Sequence, residues 1–392
     1  MAVVRDAIEV GSDGRGDCRV RVSGANTLEL VVACGNPPLL AAGIERVVRR
    51  AAEATGARVR VEVEDRGALD YVLVARVEAA VRAAVTDAVS IPTAVDRSPS
   101  MRDRARRSRL YAPGNNPRLL LGIEQHGADC VLLDLEDAVP PAEKAAARIL
   151  VKHLLASVAF PAEVWVRINP LDVGGEEDLD EVVGSRPHGI CLPKAASPED
   201  VLRASARLAQ SEAAAGVPQG SIWLMPIVET AAGVLRCDEV AAADPRVVSL
   251  AFGAEDYLRD TGAKRSADAL LWPRARLVAA ARAAGCQASD TVFADIEDDA
   301  GLAREAEAAY GLGFDGKGAI HPRQLPILHR AFTPTAEELS RAERIVAAAE
   351  EAEQRGVGAV TVDGRMIDRP VLARARRTLR LAEGERKGGA GC

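Results

Sequence analysis

Two acidic residues, Glu255 and Asp256, stand side by side where the apolar run "VVSLAFGAED" (247–256) ends. A third, Glu229, stands near the end of "IWLMPIVET" (222–230). A carboxylate buried among apolar residues is costly unless a cation neutralises it. Oxygen donors with no His or Cys beside them suit a hard divalent ion. Mg2+ takes one or two protein carboxylates and keeps positions for water and substrate. Glu229 and Asp256 are therefore the candidate metal ligands. The alternative is a salt bridge to Arg167 or Lys194, which lie near the ends of "VWVRIN" and "GICLPK". The Arg167 fork can hold a substrate carboxylate through two hydrogen bonds, or simply balance the acidic cluster. Glu136 and Asp137, in "DLEDAV", are placed to hold metal-bound water or to orient Arg167; Asp137 also suits a structural role. A Schiff-base role for Lys194 needs a depressed pKa, and its sequence neighbours supply no cause for one. Gly253 and Ala254 bring backbone N–H groups to the "GAEDY" tip, where they can approach an anion. No G-x-G-x-x-G, G-x-x-x-x-G-K-[ST] or G-x-S-x-G stands at a strand-to-helix turn.

These residues need a frame that brings several strand tips together. Short apolar runs recur at 108–114, 130–137, 164–169, 189–194, 222–230, 247–256, 287–293 and 315–322, separated by helical stretches. Strands alternating with helices imply a parallel sheet with right-handed crossovers, and eight such units imply a closed (β/α)8 barrel. The run at 315–322 is the weakest strand of the set. Asp134, Glu136, Asp137, Arg167, Asn169, Lys194, Glu229, Glu255 and Asp256 all fall where strands exit, the catalytic face of such a barrel.

Upstream, 18–22 and 27–32 alternate like half-buried strands, 37–55 has helical periodicity, and 57–65 alternates again. Residues 70–88 read as a strand running into an amphipathic helix. The chain thus divides into a small α+β unit (1–92), a polar, basic linker (93–106), a barrel (107–330) and a C-terminal helical extension (331–392) with a turn at "VDGRMIDRP". The 392 residues carry a net charge of −7, against a basic nucleic-acid binder. Seven scattered cysteines without C-x-x-C argue for a reducing compartment and against zinc. No apolar run reaches 18 residues and no signal-peptide pattern opens the chain, so a cytoplasmic protein without membrane contact is expected.

Residues 106–385 resemble the citrate lyase beta subunit of the aldolase/citrate lyase superfamily. The likeness lies in "RRSRLYAPGNN", "ADCVLLDLEDAV", "VWVRIN", "LPK", "PIVETAAGV", "LAFGAEDY", "FDGKGAIHPRQ" and "GRMIDRPV", in order and at the family's spacing. The resemblance implies a Mg2+-dependent barrel, assembled as a homotrimer or hexamer, that cleaves 3-hydroxy-acyl thioesters. It implies metal ligation by Glu229 and Asp256 and carboxylate binding by Arg167. Glu136 becomes an acid near the metal, and Asp368 an acid inserted into a neighbouring subunit's site. Arg107, Tyr111 and Pro113 fall where relatives contact the thioester carrier. The stretch 263–277 departs from the pattern by its length and its Trp272-Pro273 pair, which implies a reshaped pocket.

The first 92 residues resemble the acyl carrier (gamma) subunit of citrate lyase, through "VEVEDRGALDYVLVARVEAAVRAA". Where that subunit has its prosthetic serine this chain has Arg15, with Ser12 three residues earlier. The departure implies a free acyl-CoA substrate rather than a covalent arm. The expected products are acetyl-CoA and a keto acid such as oxaloacetate, glyoxylate or pyruvate. Two alternatives remain at this level: an aldolase acting on free hydroxy-keto acids, and a non-catalytic assembly scaffold.

Overall fold

The computed structural model describes residues 7–34, 38–93, 95–354, 360–376 and 378–379. The first unit contains β1 (Ile8–Gly11), β2 (Cys18–Gly24), β3 (Glu29–Cys34), α1 (Pro38–Ala54), β4 (Val59–Asp65) and α2 (Asp70–Ala84). Its sheet order is β1-β2-β4-β3, with β3 parallel to β4 across α1 and the other pairs antiparallel. Alternation works as the sequence suggests: Val20, Val22, Val59, Val61 and Val63 face a common core.

Residues 70–84 are one helix throughout, not a strand leading into one. The reason is burial on two sides. Leu73, Val77, Ala80, Val81 and Ala84 pack into the first unit's core. Tyr71, Val72, Ala75 and Ala79 pack into the core of the following domain. A helix buried all round loses the polar stripe that marks helical period, and its apolar run then imitates a strand.

The second domain is the expected closed barrel of eight parallel strands. They are β5 (Ser108–Pro113), β6 (Cys130–Asp134), β7 (Glu163–Arg167), β8 (Gly189–Leu192), β9 (Trp223–Val228), β10 (Ser249–Phe252), β11 (Gln287–Asp290) and β12 (Gly316–Ala319). Around them lie α3 (Pro117–Leu120), α4 (Lys144–Ser157), α5 (Gly175–Val182), α6 (Pro198–Ala214), α7 (Ala231–Leu235), α8 (Cys237–Ala242), α9 (Ala254–Thr261), α10 (Ala267–Ala283), α11 (Asp299–Leu312) and α12 (Leu325–Phe332). The weakest expected strand, β12, is real. Its Gly316 lets β12 close against β5, since a Cβ there would sit 2.0 Å from the Arg106 carbonyl oxygen.

Strand parity sets the site. Cys130, Leu132, Trp165, Met225, Ile227 and Ala251 fill the barrel interior, while their sequence neighbours Val131, Leu133, Val164, Val166, Val228, Leu250 and Phe252 face the helices. Two residues beyond the inner-facing Leu132, Trp165 and Ile227 come Asp134, Arg167 and Glu229. The period of two therefore aims all three inward at the C-terminal mouth.

The segment expected as a linker is a strap across the opposite end. Arg97 donates to the carbonyls of Leu155, Ser185 and Arg186, and Arg102 to those of Pro245 and Val247. Arg106 enters the barrel floor and forks onto Glu163 at 2.7 and 2.8 Å, against the Trp165 ring. Beyond the barrel, α13 (Ala336–Gln354) is followed by a hairpin, β13 (Val360–Val362) and β14 (Arg365–Ile367). Asp363 and Gly364, both at positive φ, form its turn. The extension is thus not purely helical; its residues 380–392, Cys392 among them, lie outside the described residues.

The two units are joined by buried charge as well as apolar surface. Glu78 of α2, 0% exposed, accepts from Lys152 Nζ at 2.6 Å and the Ile91 N–H at 3.1 Å, and pairs with His153 Nε2 at 2.5 Å. Arg82 and Lys152 both reach Glu181 of α5. Burial alone raises the Glu78 carboxyl pKa, but His153 and Lys152 outweigh it and hold it at about 2. An acid ionising below its ordinary 4.5 stabilises the fold fully above that pH and loses the contribution as pH falls towards 2. The shift corresponds to roughly 3 kcal/mol. Glu78→Gln is expected to lose stability of that order at pH 7 and to show a shallower decline between pH 4.5 and 2 in urea titrations. Matching acid limbs in the two proteins would remove Glu78 as the joint's main anchor.

Candidate active site

At the C-terminal mouth a cavity of about 410 Å3 is lined by Tyr111, Pro113, Asp134, Arg167, Glu229 and Asp256, with Gly253, Ala254 and Asp290 among its further walls. Both members of the opening acidic pair border it, and they differ in their partners. The Glu255 carboxylate is largely exposed and pairs with Arg265, while that of Asp256 is 16% exposed and touches Arg259 on its own helix. Glu229 is 2% exposed, and its Oε1 accepts the Lys194 N–H at 2.7 Å. Burial, and then the charges of Asp256 and Glu136, push the Glu229 carboxyl up to about 8. Asp256 crowds Glu229 in this dry corner and disfavours its ionisation.

That crowding is an argument for a cation. Among the described residues no group of three or more His, Cys, Asp or Glu could hold a metal ion. Two carboxylates beside an open cavity do fit Mg2+, which keeps several positions for water and substrate. Gly253 fits the same purpose in a way the sequence did not reveal. A Cβ there would lie 2.4 Å from Glu229 Oε2, so only glycine leaves the carboxylate its place. The expectation that Gly253 and Ala254 offer N–H groups to an anion is corrected. The Gly253 N–H donates to the Val228 carbonyl and that of Ala254 to Thr291 Oγ1, so both are spent within the protein.

Arg167 is fixed by Asp134, a residue that sequence reasoning placed at a strand tip but gave no role. Nε and Nη2 donate to the two Asp134 oxygens at 2.7 and 2.6 Å. Asp134 is itself held by the Glu136 and Ala138 N–H groups. Nη1 of Arg167 lies 3.0 Å from Glu136 Oε2, and the guanidinium stacks 5.6 Å above the Tyr111 ring. Burial alone would lower the Arg167 pKa, but Asp134 outweighs it and shifts it well upward, which keeps the cation permanent. A guanidinium has five N–H donors, so some remain for a substrate carboxylate.

Glu136 does not line the cavity; it is buried between Arg167 and Lys194, whose Nζ lies 2.7 Å away. Lys194 has the left-handed φ of 54°, a conformation that costs a non-glycine residue energy. The strain lets one residue serve two acids, its N–H on Glu229 and its ammonium on Glu136. Burial lowers the Lys194 pKa, but Glu136 outweighs it and the net shift is upward, the wrong direction for a Schiff-base amine. Asp137 is half exposed, and Asn169 turns away to Asp178.

The expectations for Arg107 and for the Trp272-Pro273 pair need correction. Arg107 precedes β5, so it sits at the barrel's opposite end, where it forks onto Asp129 and reaches Thr333. The motif gave its neighbourhood but not the strand's polarity. Tyr111 and Pro113, farther along the strand, do line the cavity. Asp368 is exposed and caps the turn to Val371; it does not line the cavity of its own chain. The Trp272-Pro273 pair does not reshape the pocket wall. The α10 helix runs through Pro273, Trp272 is 54% exposed, and Arg274 forks from behind onto Asp290 at 2.9 and 2.8 Å.

Residues 107–322, more than half of the chain, match the HpcH/HpaI aldolase/citrate lyase family. The chain belongs to that family. Residues 5–84 match the acyl-carrier family described as malonate decarboxylase delta subunit. The citrate lyase subunit beta of Haemophilus influenzae is 39% identical over 284 residues, covering 71% of this chain and 98% of that protein. The mitochondrial citramalyl-CoA lyase of Homo sapiens is 36% identical over 291 residues, covering 71% of this chain and 85% of its own. Protein CitE from Mycobacterium tuberculosis, solved in complex with magnesium, acetoacetate and coenzyme A, superposes with a TM-score of 0.59 at 35% identity. It covers 72% of this chain and all of its own. The family's members named here are lyases, and this chain is an enzyme of that class. Among the described residues no helix is long and apolar enough to cross a membrane.

Mg2+ is expected to raise the melting temperature of the wild type in a thermal-shift titration against EDTA, because an ion that binds only the folded state stabilises it. Glu229→Gln and Asp256→Asn should lose the shift. Gly253→Ala should lose it as well, since the added Cβ would press on the Cβ and the carboxylate of Glu229. An undiminished shift in all three variants would place the ion elsewhere.

Proposed function

We propose that this enzyme is a Mg2+-dependent carbon–carbon lyase that cleaves a 3-hydroxy-acyl-CoA, such as citryl-, malyl- or citramalyl-CoA, into acetyl-CoA and a keto acid. The observation that carries the reading is one cavity in which the acids Glu229 and Asp256 meet a guanidinium already oriented by Asp134. Bound between Glu229 and Asp256, Mg2+ would supply Lewis-acid polarisation of the substrate hydroxyl and adjacent carboxylate. Arg167 grips that carboxylate with its remaining N–H groups and stabilises charge where the keto acid forms. Its orientation is settled before substrate arrives, so little reorganisation is needed at the moment of reaction. Glu136 is a positioning residue in this scheme, fixing Arg167 and Lys194 together. Tyr111 supplies the ring under Arg167, and Pro113 a wall for the thioester end.

When the carbon–carbon bond breaks, its electron pair passes to the acetyl thioester as an enolate. A proton must return to that carbon. Asp368 is exposed and off its own cavity, which suits delivery from a second copy in a homotrimer or hexamer. The directions condensation and cleavage share the same site.

The test offers purified protein citryl-, malyl- and citramalyl-CoA with Mg2+ or EDTA and follows acetyl-CoA. Mg2+-dependent release from one of them is expected, absent in Asp256→Ala. Arg167→Lys keeps charge but loses the fork, and kcat/KM should fall roughly 100- to 1,000-fold. No release from any of the three, with turnover of a free 2-keto-4-hydroxy acid, would make the enzyme an aldolase instead.

A further inference from the structure

A second cavity, of about 590 Å3, lies between the first unit and the barrel. The first unit contributes Ser12, Arg15 and Asp17; the barrel contributes Asn115 to Arg118 and Glu143. Its barrel wall is the reverse side of the catalytic mouth. In the loop after β5, Pro113 and Leu119 face the catalytic cavity while Asn115, Asn116, Pro117 and Arg118 face the cleft. In the loop after β6, Ala138 faces the one and Ala142 and Glu143 the other.

The charges of the cleft are unequally committed. Asp17 is forked by the buried Arg76 at 2.9 and 3.0 Å, and Arg76 also donates to the Asn115 carbonyl across the joint. Glu143 accepts from Asn115 Nδ2 at 2.6 Å, and Glu9 pairs with Arg19. Ser12 Oγ donates to Asp17 at 2.8 Å. The guanidiniums of Arg15 and Arg118 have no ion pair or hydrogen bond among the described residues. Glu9 and Asp17 are therefore paired with arginines, Glu143 is held by a neutral amide, and two open forks remain, one from each unit. Two open guanidiniums lining one cavity suit phosphate oxygens, which a guanidinium binds bidentately.

Resting on the lyase reading above, we propose that this cleft binds the phosphate-bearing nucleotide end of a free coenzyme A thioester, through Arg15 and Arg118. The catalytic cavity, at about 410 Å3, has room for the acyl group and the near end of the thioester arm, but not for the nucleotide as well. The nucleotide must leave over the rim, and the loop carrying Asn115 to Arg118 is that rim's outer face. The first unit is tied to the barrel by Arg76 and Glu78. It acts as a fixed second wall for a diffusible substrate.

Titration calorimetry of the full chain with coenzyme A, pantetheine and 3′,5′-ADP tests this. Wild type should bind coenzyme A more tightly than pantetheine, and bind 3′,5′-ADP with an affinity that falls as salt rises. Arg15→Glu with Arg118→Glu should weaken coenzyme A and 3′,5′-ADP by about tenfold or more, raise KM for the acyl-CoA by a similar factor and leave kcat unchanged. Turnover of a pantetheine thioester, which lacks the nucleotide, should not change. Both arginines are exposed, and an unaltered melting temperature would show that the double variant folds. A double variant that binds coenzyme A and 3′,5′-ADP like the wild type overturns the assignment, whether or not the enzyme cleaves a thioester. So does dependence on the arginines only for a phosphopantetheinyl carrier protein. Arginine-dependent binding of both ligands in a protein that cleaves no thioester keeps the site and removes the lyase reading instead.

Discussion

The mouth of the barrel is governed by the cost of placing carboxylates in a dry, closed space. Asp134, Glu136 and Glu229 are each almost fully buried there, and each is held by a different device. Asp134 receives Arg167 and two backbone N–H groups. Glu136 receives Arg167 and Lys194. Among the described residues Glu229 receives only the Lys194 N–H, and burial, with the charges of Asp256 and Glu136, pushes its carboxyl up to about 8. The imbalance is local: three neighbouring acids share two cations, and the acid left over is the one facing the cavity with Asp256. Two carboxylates left facing a cavity in this way suit a hard divalent ion.

The far end of the barrel solves the same problem differently. Glu163 is fully buried, yet Arg106, the Trp165 N–H and Ser100 satisfy it, and although burial raises its pKa, Arg106 outweighs that and holds it at about 2. Nothing there is left over. The strap that carries Ser100 and Arg106 seals the floor, so the chemistry has a single open end. One barrel thus holds a saturated charge cluster at the bottom and an unsaturated one at the top.

Much of this was legible in the sequence, because barrel strands buried on both faces are written as short apolar runs. The tips could be found by asking where polar residues end those runs. What escaped were relations across strands. Asp134 was visible as a tip residue, but its fork on Arg167 depends on the pairing of β6 with β7. Gly253 looked like a backbone donor, and its real service is the empty volume beside Glu229. Arg107 was misplaced because a motif has no direction until the strand that contains it does. The α2 helix was misread because two cores claim it, which erased its period.

That shared helix has a consequence for how the chain is made. The first unit leaves the ribosome before α4 exists, so the face of α2 bearing Tyr71, Val72, Ala75 and Ala79 emerges without its cover. Glu78 emerges with it, lacking Lys152 and His153. The nascent unit can form its sheet but not bury its own last helix on both sides, and it waits, sticky and charged, for the barrel to be synthesised. The order of the two units along the chain therefore leaves the small domain's last helix half covered until the large one is made.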